Sequence, residues 1–293
     1  MQAKHFWLLD ITPMIGTLIA FLSLPYLPFG GMEIGLFISF WFIGGIGISA
    51  GYHRLFTHRS YQAKPLLRKI LHVSGILAGQ GGVVSWAALH RRHHECSDET
   101  GDPHSPNLHN GGLVNNLKGV LHSHLTWMRK HEYPNVVHYV PDLVKDKSIG
   151  NIDKHYYRIV MVGILMPTLI GGLYHMSIGG ALAGFLWGGM VRLSLTGHTI
   201  WFINSILHRI GKRRFQTNDH SHNAGILAIF TFGEAWHNNH HAFPGSASFA
   251  LEWYRVDPAY WFIKLSEKLG LVSHIKIPTK ESILYKKQME KTK

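Results

Sequence analysis

The chain has 293 residues, 46% of them hydrophobic and only 16% charged, with a formal charge of +12. The apolar residues come in long blocks, so the basic balance belongs to a membrane protein rather than to a nucleic-acid binder. A single cysteine, Cys96, excludes an internal disulfide and a cysteine-based metal site, while 23 histidines leave nitrogen ligation open.

In chain order, 6–29 is apolar and about long enough to span a bilayer, with Pro13, Pro25 and Pro28 near its ends. It lacks a small-residue cleavage site and reads as an anchor. A Gly30-Gly31 turn leads into a second span, 32–52. Its Gly44-Gly45-Ile46-Gly47-Ile48-Ser49-Ala50-Gly51 run contains a GxGxxA string, but inside an apolar span small residues point to close helix packing. A polar region, 53–156, follows. Within it, Pro65 to Leu89 carries apolar residues at helical spacing and is expected to lie at the interface or on the bundle. Spans three and four are 157–176 and 179–204. Arg192 and His198 lie at depth in the fourth, where a charge either faces the bundle interior or snorkels. From 205 the chain is polar again, except for Ala224 to Phe232, which is too short to cross.

All but Lys4 and Arg192 of the 29 basic side chains fall between Arg54 and Arg158 or from Arg209 onward. The turns around Gly30 and Ser177 have none. By the positive-inside rule both termini and both polar regions face the cytoplasm. The expected architecture is all-α: one membrane domain over 1–293, with four spans in two hairpins under a helical cap made of 53–156 and 205–293.

Three histidine boxes fall on the cap side. His53 and His58 follow span two; a spacing of five puts them on different faces of an α-helix, so a turn between them is expected. His90, His93 and His94 stand at i, i+3 and i+4, on one helical face. His237, His240 and His241 repeat that spacing. Each box alone has an ordinary reading as solvated or capping histidines; three on one membrane side are hard to explain that way. Eight imidazoles exceed the four ligands of one structural zinc, so two metals are the economical reading. Asn204 and His208, four apart at the end of span four, could complete the ligand set of the second metal, Asn204 directly or through water. His72, His104, His109, His122, His124, His131, His220 and His222 share no spacing, and surface or supporting roles are expected for them. Among nearby carboxylates (Glu95, Asp98, Glu99, Asp102, Glu234), Asp102 and Glu234 are the best placed to orient imidazoles. Imidazole suits zinc, copper, iron and nickel alike. A two-metal site facing a bilayer suits a redox metal and a lipid substrate.

The motifs Gly51-Tyr52-His53-Arg54-Leu55-Phe56-Thr57-His58-Arg59, His90-Arg91-Arg92-His93-His94 and Gly233-Glu234-Ala235-Trp236-His237-Asn238-Asn239-His240-His241 resemble the three His boxes of membrane fatty acyl desaturases of the stearoyl, delta-9 type. Asn204-Ser205-Ile206-Leu207-His208 is similar to that family's fourth element. The resemblance runs from about Trp41 to about Leu269. It implies two iron ions held by nine histidines plus a water on Asn204. It also implies the reaction: O2 and two electrons supply an oxidant that removes two hydrogens from adjacent methylenes, while the protein orients the chain and excludes water. Gln80, Trp86 and Trp201 match positions lining the acyl tunnel, and Arg129-Lys130 match a basic pair that holds CoA. Gly81, Ala88, His222 and Ser248-Phe249-Ala250 depart from the family pattern, which leaves CoA, lipid and carrier-protein thioesters open. With no fused cytochrome domain and no flavin or nicotinamide motif, electrons must come from a separate carrier. A ferredoxin or cytochrome b5-type protein with its reductase fits, and an acidic one suits the basic cap. The expected location is the bacterial inner membrane, active site inward. The rival readings are a fatty acid or alkane hydroxylase with a similar site, and a non-enzymatic metal-binding membrane protein; the latter would place its ligands inside the spans.

Overall fold

The computed structural model describes residues 2–108, 111–129 and 131–288. Four helices are long and apolar enough to cross a membrane. The first, α1 (Gln2–Leu22), stops at Ser23, short of the expected 29, because Pro25 and Pro28 cannot continue a helix. The second, α2 (Gly31–Thr57), runs past the expected 52. It opens with the Glu33 carboxylate accepting from Gly30 N–H at 2.9 Å, a bond that satisfies an orphan donor. Helix α3 (Pro65–Leu77) buries Leu67, Leu71 and Ile76 and exposes Leu66 and Ile70, as an interfacial amphipathic helix should. A break at Gly79, with φ of +76°, leads to α4 (Val83–Glu95), and α5 (Gly112–His124) follows in the cap. The second hairpin is α6 (Tyr156–His175) and α7 (Ile178–Ser205). The short α8 (His237–Ala242) and α9 (Pro258–Lys268) complete the cap, with one two-stranded ribbon, Gln62–Ala63 against Val272–Ser273.

Without water between them, the spans pack through small residues. In the α6–α7 hairpin a Cβ on Gly184 would lie 2.1 Å from the Pro167 carbonyl oxygen. The glycine run of α2 packs as its position inside a span requires: a Cβ on Gly47 would meet the Ser74 backbone at 2.2 Å, so α3 lies directly on α2. At the end remote from the cap, His175 Nε2 bonds Glu33 at 2.9 Å and joins the two hairpins.

Arg192 faces the bundle interior and does not snorkel. It is fully buried, and its guanidinium donates to the carbonyls of Gly188, Leu77 and Gly163. Three helices are thereby tied together, and the C-terminal end of α3 is satisfied by a charge-assisted bond. His198 faces the interface with α5, where its Nδ1 lies 3.0 Å from His124.

Candidate metal centre

The first His box is not separated by a turn. From Gly47 to Thr57, α2 is a π-helix, and His58 N–H bonds the carbonyl of His53 at 3.1 Å. Widening each turn toward i→i+5 bonding puts residues five apart on one face, the reverse of the α-helical expectation. Arg91 holds this helix end in place. It donates to the Phe56 and Thr57 carbonyls, orphan acceptors of the last turn, and to Asp142 at 2.7 and 3.0 Å. The other arginine of the second box, Arg92, turns to Glu132 at 2.9 Å. Both point away from the histidines, as helical geometry allows.

Helix α4 is aimed by Asp153, which accepts from Val83 and Val84 N–H at 3.1 Å each and from His72 at 2.7 Å. Helix α8 is aimed by the asparagines between its histidines. Asn238 accepts from the Arg214 and Phe215 N–H groups, and Asn239 pairs with Asn223 and donates to the Phe249 carbonyl. Both asparagines are fully buried.

These elements bring nine histidines into two adjoining groups. His53, His58, His90, His94 and His240 form one, and His93, His208, His237 and His241 the other; in each, one ring nitrogen per residue lies within 4.8 Å of all the rest. The rings of His94 and His241, one from each group, are 4.5 Å apart. In the first group, neighbouring Nε2 atoms are separated by 3.0 Å (His53–His240), 2.8 Å (His240–His94), 2.9 Å (His94–His90) and 3.1 Å (His90–His58). Ligands at right angles on a metal about 2.0–2.1 Å away stand about 2.9 Å apart, so this ring of nitrogens matches a metal with more than four ligands. In the second group His208 and His237 are 2.8 Å apart, and the Nε2 atoms of His93 and His241 are buried with no protein partner. Orphaned nitrogens of this kind are costly unless an ion takes their lone pairs.

Carboxylates fix which nitrogen is free. Glu234 accepts from His53 Nδ1 at 2.5 Å, and Asp102 from His93 Nδ1 at 3.0 Å. Asp98 and Asp219 do the same for His208 at 2.8 Å and His241 at 2.7 Å. With Nδ1 carrying the proton, each Nε2 presents a lone pair. Asp98 had no signal beyond lying near the second box. Asp219 had none at all, because the 22 residues to His241 hide a contact made only by folding. Burial, then repulsion among neighbouring rings, holds His58, His90, His94, His237 and His240 well below ordinary histidine basicity. They are neutral near pH 7, each with a lone pair free to bind a metal. For Asp98, burial pushes the carboxyl up, and the bonds from His208, Ser105 and the His220 N–H pull it below the usual range. Asp98→Asn or Asp219→Asn should lower affinity for the bound metal by about 10–100-fold, read by competition with a chelator; affinity within twofold of wild type would remove that residue from the orienting set.

A cavity of about 130 Å³ adjoins the site. Gln80, Trp86, Trp201 and Asn204 line it, together with His53, His90 and His237. Gln80 accepts from the Trp201 indole at 3.1 Å. Of the expected basic pair, Arg129 is exposed and follows the lining residues Trp127 and Met128 but does not itself line the cavity, and Lys130 lies outside the described residues. His104 is buried and lines the cavity, its ring 4.4 Å from His93, a closer placement than its spacing suggested. Phe249 packs 5.0 Å from His53 and 4.4 Å from His240, closing the first group with an apolar wall.

Residues 24–270 match the family model described as fatty acid desaturase. Over 289 residues, 98% of this chain and 90% of the relative, the sequence is 45% identical to the hex-5-enoyl-[acyl-carrier protein] acetylenase of Moorena producens. It is 37% identical over 90% of its length to the sn-1 stearoyl-lipid 9-desaturase of Synechocystis, covering 78% of that protein. To the acyl-CoA C20 Delta5-desaturase of Anemone leveillei it is 35% identical, with 84% of this chain and 73% of the relative covered. With the two histidine groups and four spans beside these matches, the chain belongs to the fatty acid desaturase family of membrane oxidoreductases.

Proposed function

We propose that the protein desaturates a fatty acyl chain at a centre of two iron ions. Five ligands come from His53, His58, His90, His94 and His240, four from His93, His208, His237 and His241, with Asn204 holding a water. The observation that carries this reading is the pair of histidine groups opening onto an apolar cavity. Bound iron, with O2 and two electrons, supplies the oxidising power to remove hydrogen from unactivated methylenes, which no acid or base can do. The chain's own residues orient and shield. Trp86, Trp201 and Ile200 hold an alkyl chain against the site and exclude water, and the four carboxylates keep the imidazoles in register. The site faces the cytoplasm of a bacterial inner membrane, as the basic cap supports, and 1–293 acts as one catalytic unit.

Three relatives bear the names of carrier-protein, lipid and CoA substrates, so family membership leaves the headgroup open. We favour a carrier-protein thioester, on the near-full-length likeness to the acetylenase. Cavity shape favours a short chain. Past Ile48, Ile200 and Ile203 the cavity continues only as a pocket of about 20 Å³, room for about one water-sized group. Trp41 and Phe232 line its far side, their rings 4.8 Å apart. The reacting carbons then lie near the methyl end.

Expression in a host lacking its own desaturase, with chromatography of lipid-bound and carrier-bound chains, tests the activity; alcohols without alkenes would select the hydroxylase. Trp41→Ala should shift the preferred chain upward by several carbons, since removing an indole frees space at the closed end. An unchanged chain-length profile would place the stop elsewhere.

A further inference from the structure

A second concave surface lies on the cap, between the segment 211–214, the turn at Ala224–Ile226 and the C-terminal helix Lys280–Gln288. Lys212, Arg213, Arg214, Arg255 and Lys287 line it, and no carboxylate does among the described residues. Glu252 stands behind, bonded to Arg214 at 2.7 Å and Arg255 at 3.0 Å, and offsets about one of the five charges. Lys212 and Lys287 have no ion-pair partner among the described residues. The remaining wall is the Trp236 indole. Its Nε1 donates to the Val256 carbonyl at 2.8 Å, and the Arg255 guanidinium lies 4.8 Å from its ring. A Cβ on Gly225 would stand 2.3 Å from this ring, so only glycine lets the turn fold over it.

Trp236 immediately precedes His237, whose Nε2 is 2.8 Å from that of His208. One aromatic ring and one peptide link therefore separate the cleft from the second histidine group. The cleft shares no residue with the acyl cavity.

Desaturation consumes one O2, two electrons and two protons along with the two hydrogens of the alkyl chain, and yields an alkene and two waters. The two electrons come from a reductant, and no flavin or nicotinamide motif lies within these 293 residues. Resting on the desaturase reading, we propose that this cleft docks an acidic one-electron carrier protein of the ferredoxin class, with Trp236 bridging to His237. Two successive encounters deliver the pair of electrons. Clustered cations around a path to the redox site raise the association rate and set orientation, and electron-transfer complexes of this kind are small and salt-sensitive. An acyl-carrier protein is acidic too, but its thioester has to reach the acyl cavity, which this cleft does not adjoin through any shared residue.

The test is direct binding of an acidic plant-type ferredoxin to the iron-loaded protein in nanodiscs of zwitterionic lipid, titrated at low and at physiological ionic strength. Wild type should bind, more weakly as salt rises. The double variant Lys212→Glu with Arg213→Glu should bind at least tenfold more weakly, with unchanged iron content and helicity. Lys145→Glu with Lys147→Glu, outside the cleft, should bind as wild type does. Equal affinity for wild type and the cleft variant would overturn the proposal. So would loss of binding to phosphatidylglycerol vesicles with ferredoxin affinity intact, which would make the cleft a lipid-headgroup site. Product formation by wild type after one chemical reduction and exposure to air tests the desaturase reading separately; its absence would leave a measured ferredoxin affinity standing.

Discussion

His93→Ala is expected to abolish desaturation while leaving a folded, membrane-inserted protein. His93 Nδ1 is held by Asp102, and Nε2 is buried, unpartnered and directed into the second histidine group. Alanine removes one of the four nitrogens proposed to hold the second ion. It also leaves the buried Asp102 with its remaining bonds to the Asp98 and His104 N–H groups. Activity should fall by more than about a hundredfold, the scale on which even an outer partner's loss is felt, and bound iron should drop toward one per chain. The spans fold on apolar packing, so expression and helicity should hold. Retained turnover with two irons per chain would remove His93 from the ligand set.

Arg54→Ala is the largest expected effect on stability. Arg54 is fully buried between the first box and the cap. Its guanidinium donates to Asp257 at 3.0 Å and to Ser49 at 2.9 Å, stands 4.0 Å from Glu234 and lies 3.9 Å from the centre of the Phe249 ring. Removing one partner of a buried ion pair costs about 3–5 kcal/mol, because the other charge is left without compensation. The variant should unfold at markedly lower denaturant concentration in detergent. Adding Asp257→Leu should recover part of the loss, since the stranded carboxylate goes as well. A single variant within about 0.5 kcal/mol of wild type would show that Asp257 finds another partner.

Much of the architecture was legible because the membrane imposes it. A bilayer demands about twenty apolar residues per span and concentrates positive charge on one side, so four spans, two hairpins and the cap follow from apolar blocks and the placement of Lys and Arg. The box histidines were legible because a shared ion requires ligands on one helical face, and i, i+3, i+4 is the mark of that face at 90–94 and 237–241. Where local backbone departs from the common helix, that rule misleads. His53 and His58 meet through a π-helical stretch, packed against α3 at Gly47, that no i, i+3, i+4 spacing announces.

Contacts between distant segments were decided only by folding. Asp219 and Asp98 orient their histidines across 22 and 110 residues. Arg192 binds three backbone carbonyls that no sequence pattern brings together. The end of the acyl cavity depends on Trp41 in one span meeting Phe232 from the cap loop. The sequence by itself determined which atoms can bind a metal, because ligand chemistry resides in residue type and local spacing. Tertiary structure decided which carboxylate faces each imidazole and how long a chain fits beside the site, because both are distances between elements that the chain order does not constrain.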